Sequence, residues 1–246
     1  MKKIIALSLA VLMAACVFAG CAAKTDKLTM ATNAEFPPFE YLENGEIVGA
    51  DVDLAKAIAE KLGKELEISN IDFDAALTGA ATGKYDMAVA GITANDDRRK
   101  NMNFSADYYT ASQAIIVTAD SEIKGAADLT GKAVACQEGT TGEQYLLDGD
   151  YDVQSFKTGA EAVTALTSGK VVAVVIDDAV ARALSAEQNG KTVVLEEALT
   201  QEAYAIALKK GNDELTAEID KVLAELKADG TLAAIFEKYE LPYDAE

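Results

Sequence analysis

The sequence predicts an α/β protein built from two similar lobes. Helical and strand patterns alternate along nearly the whole chain, which is the signature of helices packed on mainly parallel sheets. A weak internal repeat points to two such units. "GAATGKYDMAVAG" (Gly79 to Gly91) aligns with "ALTSGKVVAVVID" (Ala165 to Asp177) when Gly83-Lys84 is laid on Gly169-Lys170. Each copy reads as a helix end, a Gly-Lys turn and a buried strand. Short α/β units also resemble one another by chance, so the repeat alone does not decide the matter.

The individual elements follow from local pattern. "DVDLAKAIAEKLG" places Leu54, Ile58 and Leu62 at four-residue steps and stops at Gly63, a helix ended by a glycine cap. "LEIS" and "YDMAVAGI" are too short and apolar for surface helices and read as buried strands. In open parallel sheets a ligand sits outside the carboxyl ends of the strands. If two lobes face each other across such a crevice, Gly91 with Thr93 from one and Asp177 from the other converge on the same ligand.

Composition bounds the function. The chain has 246 residues, 50% hydrophobic and 26% charged, and a formal net charge of -19. So acidic a balance disfavours nucleic acid, whose phosphates need neutralising, and gives no electrostatic help at an anionic membrane surface. The chain has no histidine, which excludes Ser-His-Asp and Cys-His catalysis and most zinc sites. No metal or cofactor is expected. "DGDYD" (Asp148 to Asp152) lacks the glycine and glutamate of a calcium loop, and the Gly-Lys pairs lack the spacing of a phosphate loop.

The amino terminus reads as an address. Lys2 and Lys3 precede an apolar run from Ile4 to Phe18, short for a membrane span but suited to an export signal. The run ends in "VFAGC", which resembles a bacterial lipobox and makes Cys21 the lipidated first residue after a signal peptide of residues 1–20. Phe18 stands where leucine is usual, and "LMAAC" at Cys16 is a second candidate. Residues 21–27 would be a tether. The remaining cysteine, Cys136 in "KAVACQ", reads as a small buried hydrophobe.

A series of landmarks in order, "ATNAEFPPFEY", "GADVDLAKAIAEKLG", "FDAALTGAATGKYDMAVAGIT", "RRKNMNFS", "LTGKAVACQEGTTGEQY", "GKVVAVVIDDAVA", "YAIALKKGN" and "VLAELKADGTLAAIFEKYEL", resembles the polar amino-acid substrate-binding proteins of bacterial ABC importers. The resemblance runs from about Leu28 to Leu241. It implies a type II periplasmic-binding-protein-like fold: lobe 1 from residues 28–112 plus 204–241, lobe 2 from 113–203, joined by a two-stranded hinge near "TASQA" and "LTQEAY". It also implies a monomer on the outer side of the cell membrane, held there by its lipid, that closes on a polar L-amino acid and presents it to an ABC permease.

Site residues carried over by motif position fit the chemistry of a zwitterion, whose two charged ends must both be paired when buried. Arg98 takes the carboxylate as a planar, always charged donor. Its neighbour Arg99 is expected in solvent. Thr140 and Thr141, in a Gly-Thr-Thr turn before a helix, would complete that clamp. Asp177, the Gly91 carbonyl and the Thr93 hydroxyl would hold the ammonium, with Asp178 instead a helix N-terminal acid. Phe36 and Phe73 would flank the side chain, and Asn33 and Gln137 would meet its end, with Glu35 and Glu138 close by in sequence. With Arg98 committed, a neutral or cationic side chain is favoured over an acidic one. Two other functions share this fold: an enzyme resembling cyclohexadienyl dehydratase, which could use Glu138 as acid or base, and an amino-acid sensor.

Overall fold

The computed structural model describes residues 26–243. The signal, the lipobox and both candidate lipidation sites, Cys16 and Cys21, lie outside the described residues.

The chain opens with β1 (Lys27–Thr32), a small antiparallel sheet of β2 (Glu35–Phe36), β3 (Glu40–Glu43) and β4 (Glu46–Val48), then α1 (Ala50–Leu62) and β5 (Glu65–Asn70). Next come α2 (Phe73–Thr82), β6 (Met87–Ala88), α3 (Asp96–Asn101) and β7 (Met102–Phe104). Helix α1 buries Leu54 and Ile58 and ends at Gly63 with φ 67°, the left-handed cap its sequence specifies.

A second unit follows β8 (Tyr109–Ala111). It holds β9 (Gln113–Thr118), β10 (Ala133–Gln137), α4 (Thr141–Leu147), β11 (Asp152–Phe156), α5 (Gly159–Thr167), β12 (Ala173–Asp177), α6 (Asp178–Ala186) and β13 (Thr192–Val194). The chain then returns through β14 (Glu202–Tyr204) to β15 (Ala207–Lys209), α7 (Asp213–Ala228) and α8 (Thr231–Lys238). Both last helices pack on α1.

The two units are built alike. Their 5-stranded sheets run β5-β1-β6-β15-β7 and β11-β10-β12-β9-β13. In each, the first three strands are parallel, and the fourth is antiparallel to its neighbours on both sides. The repeat read from sequence corresponds to α2-β6 and α5-β12, which occupy equivalent places. Gly83 and Gly169 take φ 77° and 75° in the matching turns. Between the sheets the chain crosses twice, and the crossings lie side by side as the antiparallel pair β8·β14.

One reading needs correction. "LEIS" is not a buried strand: β5 is the edge of its sheet, with Glu65 and Glu67 exposed and Leu66 and Ile68 only half buried. One face of an edge strand next to solvent keeps its charges hydrated. The "YDMAVAGI" segment is buried as expected, from Met87 through Ile92.

Candidate functional site

A narrow cavity lies between the two sheets. It is lined by Asn33, Phe36, Glu40, Phe73, Gly91, Arg98, Gln137, Thr140, Thr141 and Asp177. The residues expected to touch the ligand, Thr93 excepted, therefore meet at one place, and Glu40 joins them. Strand ends deliver most of them: Asn33 follows β1, Gln137 ends β10, Asp177 ends β12, and Gly91 stands just beyond β6.

Arg98 sits in α3, whose N-cap Asn95 accepts from the Arg98 N–H at 2.9 Å. Its guanidinium donates to Thr93 O at 2.9 Å on its own side and to Gly139 O at 3.0 Å across the cleft. It also lies over the Phe73 ring, 5.5 Å from the centroid. Burial pulls the guanidinium below its usual range, while Asp177, Glu202 and Asp74 pull the other way. The group stays charged, and of its five N–H donors the remaining ones are available to an anion. Arg99 is 45% exposed and its guanidinium is held by Ala94 O and Asp107, outside the cavity.

The opposite end is acidic. Asp177, 4% exposed, accepts from the Tyr204 hydroxyl at 2.6 Å and from Gln113 Nε2 at 2.9 Å. Burial, with the negative charge of Glu202 added, pushes its carboxyl up to about 7. Asp178 is the first residue of α6 and pairs with Arg182 at 2.6 Å, as expected of a helix N-terminal acid.

The Thr93 hydroxyl differs from expectation, whereas Thr140 and Thr141 were expected to act through the backbone of a helix start. Thr93 does not line the cavity: its hydroxyl donates to Glu202 Oε2 at 2.6 Å, and only its carbonyl serves the site, by anchoring Arg98. Thr140 is spent as an N-cap, accepting from Glu143 N–H at 3.2 Å and donating to Gln137 O at 2.7 Å. Thr141 donates to the same Glu202 oxygen at 2.7 Å and accepts from Gln113 Nε2 at 3.2 Å. What this turn offers an anion is the pair of first-turn N–H groups, which have no partner inside a helix.

Glu202 was not anticipated. It lies in a crossing strand and bonds Thr93 of one unit and Thr141 of the other, so it ties them together in the closed arrangement. Tyr204, two residues on, was missed with it. Glu35 and Glu138 lie outside the cavity lining; Glu138 pairs with Lys157 at 2.5 Å.

At the side-chain end the amides orient each other. Asn33 Nδ2 donates to Ile71 O at 3.1 Å, leaving Asn33 Oδ1 to accept from Gln137 Nε2 at 3.0 Å, while that nitrogen also reaches Lys157 O at 3.2 Å. The chain of donors fixes Gln137 with its carbonyl oxygen, Oε1, buried and unpaired. Phe36 and Phe73, 6% and 8% exposed, supply apolar walls. Among the described residues no cluster of side chains could hold a metal ion.

Two α/β units closed over a cavity, with an arginine and carboxylates in its lining, define a type II binding protein. The chain belongs to the family described as bacterial extracellular solute-binding proteins, family 3, which it matches over residues 28–242. It is 36% identical over 222 residues to the "Arginine-binding extracellular protein ArtP" of Bacillus subtilis, covering 87% of this chain and 86% of that one. Two solved structures of an ancestral arginine-binding protein, one bound to arginine and one to glutamine, superpose with a TM-score of 0.82 at 43% identity, covering 87% of this chain and 97% of theirs. The family is one of extracellular solute binders, so the protein acts outside the cytoplasm and is not an enzyme; the dehydratase alternative falls.

Proposed function

We propose that the protein is the substrate-binding component of an ABC importer and that L-arginine is its principal ligand, with L-glutamine bound more weakly. The observation that carries the choice is the unpaired Gln137 Oε1 in a cavity whose only lining cation is Arg98. A buried acceptor without a partner costs free energy, and a guanidinium or amide that donates to it removes that cost. A second ligand carboxylate would find no partner there. The names of ArtP and of the ancestral protein support the same reading.

In this scheme Arg98 and the first turn of α4 take the ligand carboxylate, and Asp177 with Gly91 O takes the ammonium. Phe36 and Phe73 flank its side chain, and Asn33 and Gln137 receive the end. Lobe 1 (residues 28–112 and 204–241) and lobe 2 (113–203) close by rotation about β8·β14, and the closed monomer is what the permease recognises. Cys21, freed by removal of residues 1–20, carries the lipid that keeps the protein at the cell membrane.

A thermal-shift screen of the twenty amino acids tests the ligand assignment, because a ligand at 100 times its dissociation constant adds about 2.7 kcal/mol to stability. Arginine should give the largest shift. A larger shift with an acidic or purely aliphatic amino acid would remove the basis of the proposal. Fatty-acid labelling of cells, lost in Cys21→Ala, tests the anchor.

A further inference from the structure

Four buried carboxyl side chains gather at the acidic end of the cavity, and one of them, unlike the others, receives no hydrogen bond. Asp177 and Glu202 are bonded as described. Asp51, in the first turn of α1, accepts from Gly91 N–H at 2.8 Å and from the Tyr108 hydroxyl at 2.9 and 2.8 Å. Glu40 differs from all three. It is among the residues that line the cavity, it has 0% exposure, and neither carboxyl oxygen accepts a hydrogen bond. Of the charged groups around it, the Asp51 carboxyl acts on it most strongly. Two neighbouring carboxyls can hydrogen bond each other only when one of them carries a proton.

The groups that face the pair are acidic or phenolic: Tyr108 ahead of β8, Asp177 at the end of β12, and, around Asp177, Glu202 and Tyr204 of β14. Arg98 is the one cation among the lining residues. Such an arrangement cannot keep every carboxyl ionised while the cavity is empty. An incoming ammonium changes that balance.

We propose that Glu40 is a proton-exchanging residue of the ligand site, holding a proton while the cavity is empty and yielding it to solvent when the α-ammonium of an amino acid enters. The O–H bond of Glu40 breaks, its electron pair stays on the carboxylate, and the proton passes to water or buffer. No oxidant or further reactant is needed. Capture then releases protons, and Glu40 joins Asp177 in facing the ammonium. Burial first, and then the charge of Asp51, pushes the Glu40 carboxyl well above the usual carboxylate range, in keeping with a proton held in the empty form.

The inference rests on the amino-acid reading of the cavity, and calorimetry separates the two. L-arginine is titrated into ligand-stripped protein at pH 6 in buffers of high and low ionisation enthalpy, and the affinity is followed from pH 5 to 7. Saturable binding whose apparent enthalpy depends on the buffer, with affinity rising by up to about tenfold per pH unit for each proton released, is expected. Glu40→Gln, which keeps the shape but cannot ionise, should bind with a smaller proton release and a flatter pH profile. Should that variant not fold, Asp51→Asn serves instead: loss of the like charge should move the proton release to lower pH. Saturable binding with a buffer-independent enthalpy overturns the inference while leaving the amino-acid reading intact, as does an unchanged proton release in Glu40→Gln. Failure of every amino acid to bind overturns the reading, and the inference with it.

Discussion

Arg98 donates to the carbonyl oxygen of Gly139 at 3.0 Å across the cleft while holding Thr93 O at 2.9 Å on its own side. One side chain thus bonds both units at the point where a ligand carboxylate would sit. Its removal should be felt in binding before it is felt in folding. Arg98→Ala is expected to weaken arginine binding by about 3 to 5 kcal/mol, since it leaves the ligand carboxylate buried without its cation. Arg99→Ala, at an exposed position, should leave affinity unchanged and cost about 1 kcal/mol of stability or less. Equal losses of affinity in the two variants would show that the carboxylate is not held by Arg98.

Gly139 carries a second prediction. It takes φ +78°, and a Cβ there would stand 1.9 Å from Asp74 Oδ1, which belongs to the opposite unit. The left-handed backbone conformation costs a non-glycine residue about 1 to 2 kcal/mol. The clash is different in kind, because it exists only while the cleft is closed. Gly139→Ala should therefore fold with a modest loss of stability and bind more weakly, since the exposed Asp74 side chain must turn aside before the cleft can close. A calorimetric titration beside a thermal melt distinguishes this from general destabilisation, which would lower the melting temperature without a selective loss of binding.

The buried carboxyls set a pH dependence. Burial pushes Asp51 up to about 6 and Asp177 to about 7, each above its value in the unfolded chain. The folded state then binds more protons than the unfolded state between about pH 4 and 7, so stability falls as pH rises through that window. The ligand-free protein should melt at a higher temperature at pH 5 than at pH 8. A melting temperature that is flat or rises over this interval would show that these carboxyls are not buried as described.

Much of this site was legible in the sequence, for identifiable reasons. Gly91, Gln137 and Asp177 end or follow apolar strands, and the ends of parallel strands face the crevice. Arg98 stood out as a basic residue soon after such a strand in an acidic chain. A strand end reveals that a residue reaches the crevice, but not which of its groups points there. Thr93 accordingly contributes its carbonyl and turns its hydroxyl to Glu202. Glu40 and Glu202 were hidden because an acid beside aromatics in a short strand looks like a solvated face. Their burial depends on α1 and β8·β14 packing from distant parts of the chain. The misreading of "LEIS" has the same origin, since an apolar run does not say whether a second strand will pair with its far edge.

The central claim is that one cation and the carboxylates around it select the charge of the ligand. Isothermal titration of L-arginine, L-glutamine and L-glutamate into ligand-stripped protein at pH 7 tests it most directly. Arginine should bind at least about a hundredfold more tightly than glutamate, corresponding to about 2.7 kcal/mol, with glutamine between them. Glutamate as the tightest of the three would place a second cation in the cavity and contradict the assignment of Asn33, Gln137 and Arg98.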